Sequence, residues 1–136
     1  MDMRSLVRRR MDKLLEALEE AAATARHEAG VEQVHQLRVA TRRLSQNLKT
    51  FKAFYPGGEV RKIRKKLRGM RDAAAELRSR DIAQEQLKAA RLAEGVLGER
   101  LRQEREAGAA TLRRMLAKWE KKGYPLRWHD QLGAGS

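Results

Sequence analysis

An all-α fold, an antiparallel four-helix bundle, is predicted by three features of this 136-residue chain. Apolar residues recur at spacings of three and four over four long stretches. Gly or Pro separates those stretches, and hardly any segment alternates with the period of two that strands need. The length suits one domain, and 41% apolar residues can build one core.

The first helix is expected over residues 3–29. Val7, Met11, Leu14, Leu18, Ala21, Ala22 and Ala25 form its stripe, Glu16, Glu19 and Glu20 lie outside it, and Gly30 stops it. The second is expected over residues 31–55, with Leu37, Ala40, Leu44, Leu48, Phe51 and Tyr55 on its apolar face. It ends at Pro56-Gly57-Gly58, a break that sends the next helix back antiparallel. The third starts near Glu59 and buries Val60, Ile63, Leu67, Met70, Ala74 and Leu77. Ile82 and Leu87 leave that phase, which predicts a kink or register change at Arg78-Ser79-Arg80-Asp81. Gly95 and Gly98 mark the turn into the fourth helix, whose stripe reads Leu97, Leu101, Gly108, Leu112, Met115 and Trp119. Residues 1–123 then form the bundle. Gly123-Tyr124-Pro125 breaks the last helix, and residues 124–136 are expected to be an irregular tail, mobile at its Gly-rich end.

Charge narrows the function. The chain has 31 Lys and Arg against 18 Asp and Glu, a formal net charge of +13, and self-repulsion of that size points to a polyanionic partner. Two Trp, two Tyr and two Phe are too few for the stacking platforms of single-stranded nucleic-acid binders. Without cysteine there is neither a disulfide framework nor a thiolate metal site. The amphipathic start at Met1-Asp2-Met3-Arg4 does not read as a signal peptide and no run reaches membrane-span length, so a cytoplasmic protein is expected.

The densest signal lies in the second helix. At 100° per residue His35, Arg38 and Arg42 fall within about 60° of one another, and Lys49 stays in that arc. A fixed row of arginines suits phosphate oxygens, because the planar guanidinium donates two hydrogen bonds and keeps its charge. The third helix adds a second basic surface from Arg61 to Arg71 with no acid before Asp72. On consecutive antiparallel helices the two surfaces can converge on one groove, with His35 placed to donate to a bound phosphate.

The run Val34-His35-Gln36-Leu37-Arg38-Val39-Ala40-Thr41-Arg42-Arg43-Leu44, followed by Leu48, Phe51 and Pro56, resembles the signature of the CHAD family, conserved-histidine α-helical domains that bind inorganic polyphosphate. The likeness extends to the basic third helix and to Ser79-Arg80-Asp81-Ile82-Ala83. It covers roughly residues 33–87, and the fourth helix matches only in character. The resemblance implies that His35, Arg38, Arg42 and Arg43 contact phosphates and that Lys49 and Lys52 extend the track. Arg61, Arg64, Lys65, Arg68 and Arg71 would form the facing wall. Arg80, beside Asp81, is either a further phosphate ligand or half of an internal ion pair. Members of the family resemble two four-helix bundles in tandem around a shared basic channel, whereas this chain has material for one bundle. That implies a homodimer that rebuilds the channel, and association with polyphosphate granules.

Enzymatic activity is not expected. The three histidines at 27, 35 and 129 are far apart in sequence, no acidic pair sits within the basic surfaces, and there is no Walker loop, nucleophile elbow or cysteine nucleophile. A metal role for His35 lacks supporting ligands at helical spacing, and no cofactor is implied. The rival reading is a nucleic-acid-binding helical protein, since duplex phosphates are also drawn to this charge. A mid-helix rail is poorly placed to enter a groove. The basic faces also lack the flanking Trp, Phe or Leu of a membrane-surface helix.

Overall fold

The computed structural model describes residues 2–135. They form five α-helices, α1 Met3–His27, α2 Val31–Thr50, α3 Gly57–Ala89, α4 Val96–Lys121 and α5 Tyr124–Leu132, with a 3-10 turn at Lys52–Phe54 and no strand among the described residues. The protein is an all-α helical bundle. α1 packs on α2, α2 on α3 and α3 on α4, while α4 and α5 both return to α1.

Local chemistry sets the boundaries. Asp2 caps α1 by accepting a hydrogen bond from the Ser5 N–H at 2.8 Å. α1 ends at His27, two residues before the expected stop, because Glu28 is already extended. α2 ends at Thr50, where the last expected turn tightens into the 3-10 segment. That turn carries Tyr55 into the core, where its hydroxyl donates to the Leu132 carbonyl at 2.8 Å.

The stripes of α1, α2 and α3 pack into one core whose fully buried side chains include Met11, Leu15, Leu18, Leu37, Leu44 and Leu67. α3 is an unbroken helix through Arg78-Ser79-Arg80-Asp81, contrary to the expected kink or register change. The stripe does continue, at a polar residue: Asp81, four beyond Leu77, is buried and bound by Arg105 of α4 at 2.9 and 3.4 Å. On α4 the buried side is Ala109, Leu112, Leu116 and Trp119. Leu97 is more than half exposed, because the first turn of α4 lies at the end of the α3/α4 hairpin, where no third helix covers it. Gly98 holds that hairpin end together, since a Cβ there would lie 1.9 Å from the Ala93 carbonyl oxygen.

The expected irregular tail is instead α5. Gly123 adopts a left-handed conformation, φ +76°, that turns the chain out of α4, and Pro125 sits in the first turn of the new helix, where a missing N–H costs nothing. Trp128 and Leu132, four residues apart, are buried, and Trp128 meets Trp119 edge-on at 5.4 Å. Arg8 donates to the Gly133 carbonyl at 3.0 Å, and the Ala134 N–H donates to Asp12 at 2.9 Å. The tail is thereby tied down as far as Ala134. Ser136 lies outside the described residues.

Candidate functional site

α2 buries Val34, Leu37, Ala40, Thr41, Leu44, Ser45 and Leu48. Moving outward from Ser45 around the helix, the next side chains are Arg38, Lys49, Arg42 and His35. Exposure follows that order: Arg38 is half-buried, and Lys49, Arg42 and His35 are exposed. Across the groove α3 answers with two rows at seven-residue spacing. Arg64, Arg71 and Arg78 are half-buried beside the core, and Arg61 and Arg68 lie exposed outside them. Arg64 Nε donates to Ser45 Oγ at 3.3 Å, which anchors the two helices at the base of the groove.

The electrostatics of this wall set it apart. No ion pair among the described residues involves His35, Arg38, Arg42, Lys49, Arg61, Arg64, Arg68, Arg71 or Arg78. At the α3/α4 end, by contrast, Arg80, Arg100, Arg102 and Arg105 are all paired with carboxylates. Within the wall, Arg38 Nε is shielded from water and has no hydrogen-bond partner among the described residues. A buried donor on a charged group without a partner is costly.

Some expected site residues fall elsewhere. Arg43 projects to the other flank of α2, where it lines a cleft of about 360 Å³ against α1 with Glu20 and Glu32; it lies 100° beyond Arg42, too far round to share the rail. Lys52 is exposed on the 3-10 turn past the end of α2. Lys65 lines a separate cavity between α3, α4 and α5. Arg80 faces α4, its Nε 3.1 Å from Glu104 and its Nη1 3.4 Å from Glu76, so its partners are these carboxylates and not the neighbouring Asp81, which pairs with Arg105. Arg78 and Ser45 escaped the sequence reading. Arg78 was legible as the next step of the seven-residue series from Arg64 and Arg71, but the expected kink interrupted that series. Ser45 carries no charge to mark it, and its part depends on Arg64 arriving from another helix.

The remaining histidine of note belongs to α5. His129 bridges two carboxylates of α1, Nδ1 to Asp12 at 2.8 Å and Nε2 to Glu19 at 2.5 Å. Burial alone would lower its pKa, but the hydrogen bonds to Asp12 and Glu19 and their negative charges outweigh that and raise it above the ordinary value.

Fold and wall together define a basic helical bundle with one arginine face left without ion-paired carboxylates among the described residues. The family model of the CHAD domain matches residues 7–135, and the chain belongs to that family. Comparison with curated proteins and with solved structures found no match. No helix among the described residues is long and apolar enough to cross a membrane.

Proposed function

We propose that the protein binds inorganic polyphosphate, without turning it over, along the groove between α2 and α3. The observation that carries this reading is the arginine wall without ion pairs: eight Lys and Arg side chains of two packed helices flank one groove, and among the described residues none of them is in an ion pair. Repulsion within such a wall opposes folding, and a flexible chain of phosphates offsets it along its whole length. His35 at the outer rim donates to the same chain. Membership of the CHAD family supports the choice of phosphate over other polyanions.

The groove is open on one side, so a bound polyanion keeps much of its hydration and its screening by salt. A second copy of the chain, presenting its own α2/α3 wall, would enclose it, and we include this homodimer in the proposal. Association with polyphosphate granules follows from the same ligand.

Competition between long-chain polyphosphate and duplex DNA at near-physiological salt tests the reading. Polyphosphate should win, and equal or tighter binding of DNA would overturn the assignment in favour of a nucleic-acid-binding protein. The double substitution Arg38→Ala/Arg42→Ala should remove about 2 to 5 kcal/mol of polyphosphate binding. Arg9→Ala/Arg10→Ala, at exposed positions of α1, should change it little. Equal losses in the two variants would mean diffuse attraction with no site at the groove.

A further inference from the structure

A second basic surface lies on the far side of α3, and its chemistry differs from that of the arginine wall. Lys62 and Lys66 point about 140° to 180° around the helix from Arg64 and Arg71. With Lys65, with Lys118 and Lys122 at the end of α4, and with Arg127 of α5, they rim a cavity of about 860 Å³ between the three helices. Glu59 is the one carboxylate among the lining side chains, set against these six cations.

The floor is apolar. Ile63 and Met70 of α3, Met115 and Trp119 of α4 and Trp128 of α5 line it. Inorganic polyphosphate has nothing to place on such a floor. A ligand that uses both parts carries an apolar body as well as several negative charges, and the volume is of the size that takes one small organic molecule. Gln131, also lining the cavity, narrows the class further, because its amide can both donate to and accept from the edge of a heteroaromatic ring, which an aliphatic body lacks. Lys66 and Arg127 lie 4.4 and 4.1 Å from the centre of the Tyr124 ring, which holds both cations at the rim.

We infer that the α3/α4/α5 cavity is a second ligand site and that it takes a nucleoside polyphosphate, with the base on the Met70, Met115 and Trp119 floor and the phosphates on the lysine rim. This site does not depend on the polyphosphate reading of the α2/α3 groove.

Both tryptophans of the chain line this cavity, so intrinsic fluorescence reports on it selectively. The experiment uses the Arg38→Ala/Arg42→Ala variant, in which the groove is disabled, and titrates ATP, adenosine and inorganic tripolyphosphate by calorimetry and tryptophan emission at near-physiological salt. ATP is expected to bind saturably with a change in emission, at least tenfold tighter than tripolyphosphate or adenosine. Adding Lys62→Ala/Lys118→Ala, both at exposed positions, should weaken ATP at least tenfold. Absence of saturable ATP heat, tripolyphosphate binding as tightly as ATP, or indifference of ATP to the lysine pair would each overturn the inference. Since the groove is already disabled, none of these results bears on polyphosphate binding there.

Discussion

Arg80 and Asp81 are adjacent in sequence and serve different partners. Arg80 is part-exposed and shares two carboxylates at 3.1 and 3.4 Å, an arrangement worth little in water. Asp81 is 5% exposed and depends on the guanidinium of Arg105. Arg105→Ala should therefore destabilise the protein by about 3 kcal/mol, since it leaves a carboxylate buried and unpaired. Arg80→Ala should cost less than about 1 kcal/mol. Urea unfolding of the two variants distinguishes them. His129 makes stability depend on pH. Its pKa is raised in the folded state, so the bridge to Asp12 and Glu19 stabilises fully below the ordinary histidine value and is lost as pH rises through the raised one. The urea midpoint should fall as pH rises above the ordinary histidine value. His129→Gln should flatten that profile, and an unchanged slope would refute the role of the bridge.

At the scale of the element, α3 is a two-sided basic helix. Its arginines at 61, 64, 68, 71 and 78 turn toward α2, and its lysines at 62 and 66 turn toward α4 and α5. In sequence the two sets interleave and read as one cluster. α5 likewise reads as tail until its partners are known. It is too short to be stable alone, and it stands because Trp128 packs on Trp119, Tyr55 donates to Leu132 and His129 bridges to α1. Trp128→Ala should cost about 3 to 5 kcal/mol. Helical content lost in that variant should stay near the one short helix if α5 detaches locally, which circular dichroism alongside thermal melting measures.

For the whole molecule, the net charge of +13 is unevenly compensated: among the described residues the ion-paired carboxylates lie on α1, on α4 and at the α4 end of α3, and none is paired in the α2/α3 groove. Two such grooves facing each other repel, and a bound polyanion removes that repulsion, so ligand and dimer should stabilise one another. The expected outcome is a dimer population that rises when polyphosphate is added at fixed protein concentration, read by sedimentation velocity. A monomer that binds short polyphosphate one to one with undiminished affinity would exclude the shared groove.

The helical class, the first three core stripes and the rail of His35, Arg38, Arg42 and Lys49 were legible in the sequence, because each depends on the geometry of a single helix and 100° per residue suffices to place it. Arg43 entered through the family resemblance, and its angle, 100° beyond Arg42, sets it off the rail. Tertiary structure alone decided what crosses between helices: that Asp81 could continue an apolar stripe because Arg105 arrives to meet it, that Gly123-Tyr124-Pro125 starts a helix as well as ending one, and which cations of α3 face which neighbour. The free energy of a charge or of a short helix depends on which residues, distant in sequence, surround it, and no periodicity along one segment carries that information.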